Sequence, residues 1–152
     1  ENSLHKARHC SKFTGLPALA DDSGLCVVEL NGAPGVFSAR YAGEPKSDDR
    51  NMDKLLDELR DAQLRDAYFY CSLVFVRSHD DPQPVIADGV FMGEIALDKK
   101  GANGHGYDPI FYAAQYDKSF AELDAELKNL ISHRGLAIKS LLAKFKLLNI
   151  ID

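Results

Sequence analysis

The chain has 152 residues, with 18 Lys and Arg against 23 Asp and Glu, a formal net charge of -5, 45% hydrophobic and 27% charged residues. That is a globular balance, in a chain long enough to bury roughly 70% of its unfolded surface. It excludes the broad positive field of a duplex-DNA or membrane-surface binder, but leaves room for a small anion held by a few local cations.

Three cysteines, Cys10, Cys26 and Cys71, form no Cys-x-x-Cys pair. An odd, scattered set speaks against a disulfide scaffold or a thiolate zinc site and suits a reducing cytosol. No apolar run reaches the ~20 residues of a membrane span. The reading is one cytoplasmic domain over 1–152, with neither nucleic acid nor membrane as partner. The chain opens "ENSLHKARHC" without an initiator Met, as a fragment or processed form does.

In chain order, residues 1–15 read as a helix stopped by Gly15 and Pro17. "LPALA" reads as a short buried strand ending at Asp21 and Asp22, and "LCVVEL" as a second strand before the Asn31-Gly32 turn. "GAPGVFSARYAGEPKS" reads as loop, with one helical turn near 38–41. From Ser47 or Asp48 to Arg60, Met52, Leu55, Leu56 and Leu59 recur at helical spacing behind a polar cap. Two long strands, "AYFYCSLVFVRS" and "PVIADGVFMGEIALD", flank the turn "HDDPQP". A glycine-rich loop, "KKGANGHGYDPIFY", follows. Residues 124 to about 148 read as one helix striped by Leu127, Leu130, Ile131, Ile138, Leu141, Leu142 and Phe145. The sum is an α/β fold with a mixed or antiparallel-rich sheet.

Four constellations carry possible chemistry. Asp21-Asp22-Ser23-Gly24 offers carboxylate oxygens for a hard cation such as Mg²⁺, or a base for an attacking water. If the segment is extended, only one aspartate faces a given site; a solvated Asx turn uses the same residues. In "GANGHGYDPIFY", glycines allow a ligand close to the backbone, His105 and Tyr107 offer stacking rings, and Asp108 offers an acceptor. A plain hairpin or Ω-loop is the alternative. In "KNLISHRG", Lys128, His133 and Arg134 place two fixed charges and a titratable ring within seven residues. On one ideal helix Lys128 and His133 stand about 140° apart, so both reach one ligand only if the helix is distorted. Finally, His5 and His9 have zinc-compatible i, i+4 spacing but lack a third ligand, and read as exposed helix residues. Lys6 beside them is a cation that can meet a phosphate.

Taken together and in order, "ENSLHKARHCSKFTGLPALADDSGLCVVELNGAPGVFSARYAG", "GHGYDPIF" and "KNLISHRGLAIKSLL" closely resemble the inosine/xanthosine triphosphate pyrophosphatase family, also described as Ham1-like. The resemblance implies a long mixed sheet with flanking helices and a two-lobed cleft. It implies hydrolysis of deaminated purine nucleoside triphosphates (ITP, dITP, XTP) to monophosphate and pyrophosphate, with Mg²⁺, in a cytoplasmic homodimer. By position, Asp22 is implied as proton acceptor and Mg²⁺ ligand, Asp21 as its helper and Lys6 as a phosphate-side cation. Ser23, His105, Gly106, Tyr107 and Asp108 are implied as substrate contacts, and Lys128, His133 and Arg134 as the purine-reading set.

The chain departs from the family pattern twice. His105 stands where Phe is common, which adds a titratable ring to the stacking position. The family's N-terminal strand and phosphate loop precede "ENSLHKARH" and are absent from this sequence. The resulting alternative is a catalytically impaired fragment that acts only as a purine nucleotide-binding or dimerisation module.

Overall fold

Ten consecutive residues, Ala18–Val27, form a single strand, β1, in a computed structural model that describes residues 1–152. Before it, α1 (Asn2–Thr14) ends at Gly15, whose left-handed backbone (φ 71°) lets its N–H reach the Ser11 carbonyl. After it come α2 (Asp48–Glu58), the long strands β2 (Asp66–Val76) and β3 (Val85–Ile95), and the short β4 (Phe111–Ala113) and β5 (Lys118–Ser119). The chain closes with α3 (Ala125–Ile131) and α4 (His133–Leu147). One sheet has the order β1-β2-β3-β4-β5, and β4 runs antiparallel to both β3 and β5. The α/β class read from the sequence holds.

Two expectations are corrected. The sequence suggested two strands with the aspartates at the end of the first. Instead β1 runs straight through Asp21-Asp22-Ser23-Gly24. An Asp-Asp pair ordinarily breaks a strand; here Arg134 takes up the Asp21 carboxylate and Lys6 the Asp21 carbonyl, so partners distant in sequence compensate. The second strand stops early, because Val28–Leu30 curls into a 3₁₀ turn that ends at Asn31 with φ 55°.

The terminal helix is also two helices. Ser132 breaks it, its Oγ accepting from the Gly135 N–H at 3.2 Å to cap α4. The apolar stripe divides at the same point. Leu127 and Ile131 of α3 pack in one core, Leu141 and Phe145 of α4 in another, and Leu130 is left 75% exposed.

The chain groups into two compact units. The first comprises Glu1–Ser23, Tyr70–Val90 and Ser132–Asp152. Here strand alternation sends β2 side chains to opposite faces. Val74 and Val76 join Ala7, Ala18, Leu4 and Ala20 on the α1 side, while Cys71, Leu73 and Phe75 join Ala137, Leu141 and Phe145 on the α4 side. Gly89 is required by this packing, since a Cβ there would stand 2.2 Å from the His133 carbonyl oxygen and 2.6 Å from the Ala137 nitrogen. The start of α4 therefore rests directly on the β3 backbone.

The second unit comprises Gly24–Phe69 and Phe91–Ile131. Its core is an aromatic cluster of Phe69, Phe91, Phe111 and Phe120, with centroids 4.3–6.1 Å apart, packed on Leu25, Val27 and Leu55. The fully buried Phe111 and Phe120 each contribute about 1.5–3 kcal/mol by removal from water.

Candidate active site

In the first unit, β1 presents two chemically different faces. Asp21 and Ser23, two residues apart, both meet the Arg134 guanidinium, so they share the α4 face. Arg134 Nε and Nη2 donate to Asp21 Oδ2 at 3.2 and 2.8 Å, and Nη2 to Ser23 Oγ at 3.3 Å. Ala18 and Ala20 pack toward α1, and alternation places Asp22 in their row. Lys6, on α1, donates Nζ to the Asp21 carbonyl at 3.3 Å. The expectation that only one aspartate faces a given site therefore holds. Asp22 stands on the Lys6 side, half-buried, with its carboxylate outside any hydrogen bond or ion pair. Asp21 is committed to Arg134.

His133 and Arg134 occupy the first turn of α4, where the helix dipole disfavours cations. The Asp21 carboxylate offsets that cost for Arg134. Below them lies Cys71, fully buried, its thiol pushed up by burial and partly restored by Ser23 and Arg134. Breaking a helix-charge preference at one spot, with a compensating partner, is typical of a functional position.

In the second unit the glycine loop is held by carboxylates. Asp108, buried, accepts the His105 N–H at 3.0 Å and the Lys128 ammonium through the same oxygen, Oδ2. Because this carboxylate folds back over the loop, a Cβ at Gly104 (φ 78°) would stand 2.3 Å from it. Asp48, the first residue of α2, accepts the Gly106 N–H at 3.0 Å. The Tyr107 hydroxyl donates to the Ser38 carbonyl at 2.7 Å, and burial raises its pKa, so it stays a donor at physiological pH. His105 itself is exposed.

Lys6, Asp22, Ser23, His133 and Arg134 thus gather in the first unit, and His105, Gly106, Tyr107, Asp108 and Lys128 in the second. Lys128 and His133 lie on different helices, α3 and α4, so the single-helix angle argued from the sequence does not apply. His5 and His9 are exposed, and no group of three or more His, Cys, Asp or Glu is arranged around a common metal position. Sequence reasoning missed Asp48, Ser38 and Asn51. The polar start "SDD" was legible only as a helix cap, because its contact with Gly106 spans 58 residues.

These features define an α/β protein in which carboxylates are paired with cations in each of two compact units. The chain belongs to the Ham1 family, whose model matches residues 1–144, a range that contains every candidate residue. It is 58% identical over 148 residues to a Chromobacterium violaceum protein named dITP/XTP pyrophosphatase, covering 97% of this chain and 75% of that one. A Coxiella burnetii protein of the same name is 51% identical over 143 residues, covering 93% and 72%. Among solved structures, a HAM1 protein from Coxiella burnetii superposes with TM-score 0.90 at 48% identity, covering 99% of this chain and 76% of that one.

Proposed function

We propose that the chain hydrolyses non-canonical purine nucleoside triphosphates, ITP, dITP and XTP, to the monophosphate and pyrophosphate. The observation that carries the reading is the pairing of this family membership, at 58% identity to a relative named dITP/XTP pyrophosphatase, with an uncommitted Asp22 carboxylate on the Lys6 side of β1. Asp22 is the proton acceptor for the attacking water. Lys6 meets the phosphate chain as a point charge.

Asp22 is also the residue that would hold Mg²⁺. A hard oxygen donor is what that ion takes, and one carboxylate completed by water and substrate phosphate oxygens is a sufficient protein share. When bound, the ion neutralises polyphosphate charge. The remaining roles belong to the chain's own groups. In the first unit Ser23 and Arg134 present a hydroxyl and a guanidinium, and in the second Lys128 keeps two N–H donors beyond its bond to Asp108. Donors aimed at a 6-oxo edge favour hypoxanthine and xanthine; adenine leaves a donor unpaired, at about 1–3 kcal/mol per lost partner. His105, Gly106 and Tyr107 form the loop against the base and sugar. A homodimer and a cytoplasmic location complete the proposal, on the family likeness.

The test is pyrophosphate release from inosine, xanthosine, adenosine and guanosine triphosphates, with and without a magnesium chelator. The reading expects the 6-oxo, non-guanine bases to exceed adenine in kcat/KM by about tenfold or more, and the chelator to stop turnover. Equal rates on all four substrates would overturn the base selectivity.

A further inference from the structure

The glycine loop has no regular structure from Lys99 to Tyr107, yet a ligand-facing loop must be held in one shape to discriminate. Internally it is tied by Asp108, which serves both the His105 N–H and Lys128. Externally its first half is held by Ser119, whose Oγ donates to the Lys100 carbonyl at 2.6 Å, and by the Ala121 carbonyl, which accepts the Asn103 N–H at 3.3 Å, while the Gly106 end is held from α2. Asp48 accepts the Gly106 N–H at 3.0 Å, and Gly106 has φ 61° with open space where a Cβ would stand. The glycine is there for its backbone shape, and the bond its N–H donates to Asp48 fixes that shape. One turn further on, the fully buried Asn51 donates Nδ2 to the Ser38 and Ala39 carbonyls at 3.3 and 3.0 Å and accepts the Ala42 N–H at 2.8 Å. The Ser38 carbonyl also accepts the Tyr107 hydroxyl.

We propose that Asp48 is a positioning residue for purine binding: from the first turn of α2 its carboxylate sets the Gly106 peptide, and through it the placement of His105 and Tyr107. Asn51 supports the same loop indirectly, through Ser38. The inference rests on the proposed nucleotide reading.

The experiment measures kcat and KM for inosine triphosphate, and inosine monophosphate binding by calorimetry, in the wild type, Asp48→Ala, Asp48→Asn and Ser47→Ala. Asp48→Ala is expected to raise KM and weaken monophosphate binding about tenfold or more, with kcat within about twofold. Asp48→Asn keeps an acceptor oxygen and is expected to restore most of the affinity. Ser47 caps the same helix through the Arg50 N–H but does not touch the loop. Ser47→Ala is therefore expected to lower the melting temperature while leaving KM in place. Unchanged KM in Asp48→Ala, or an equal KM rise in Ser47→Ala, overturns the positioning role and leaves the function standing. Should Asp48→Ala fail to fold, an Asp48→Asn variant as impaired as a loop deletion overturns it. A wild type that neither turns over the triphosphate nor binds the monophosphate overturns both readings.

Discussion

Asp81 illustrates how one side chain fixes a turn. It is 2% exposed, and its carboxylate accepts the Arg77 backbone N–H at 2.8 Å, the Arg77 guanidinium at 3.0 and 3.1 Å and the Gln83 N–H at 2.9 Å. These bonds, the Arg77 side chain foremost, hold its pKa down at about 2. Because the folded value lies below the unfolded one of about 3.9, the stabilisation is present above pH ~4 and is lost as pH falls toward 2. The shift is worth about 2 kcal/mol. Asp81→Asn should melt below the wild type at pH 6, and the gap should close as the pH approaches 2; a gap independent of pH would contradict the assignment. At the candidate site, Asp21 and Arg134 form a pair whose side chains are 45% and 44% exposed, so its value lies in orientation more than stability. Asp21→Ala should raise KM for inosine triphosphate several-fold with little change in melting temperature, read by kinetics and thermal denaturation.

At the scale of elements, the start of α4 carries most of the geometry. Ser132 caps it, Gly89 lets it lie on β3, and Asp21 neutralises a cation in its first turn. Ser132→Ala should cost about 1 kcal/mol of stability and, by loosening the turn that bears His133 and Arg134, should also raise KM. A lower melting temperature with KM unchanged would separate the cap from the site. The sequence made α1, α2, β2 and β3 legible: α1 through its Gly15 stop, α2 through its helical apolar spacing behind the Ser47 cap, and β2 and β3 through β-branched and aromatic runs on either side of a turn. It hid the break at Ser132, since the apolar stripe continues across it while its two halves serve different cores. It likewise hid the continuity of β1, since what keeps Asp21 in a strand is Arg134, 113 residues away.

For the whole molecule, family membership was legible in ordered motifs along most of the chain, whereas the pairing of Asp21 with Arg134 on one face of β1 needed coordinates. Asp21 and Asp22 are adjacent and chemically identical, yet one is spent on Arg134 and the other stands free on the Lys6 side. The account thus assigns proton acceptance to Asp22 alone. Its most direct test is pyrophosphate release from inosine triphosphate by Asp22→Asn beside the wild type, with inosine monophosphate binding measured on both. The account predicts a kcat lower by at least about a hundredfold, the scale of a lost general base, with monophosphate affinity retained. An Asp22→Asn protein that turns over at the wild-type rate would contradict it.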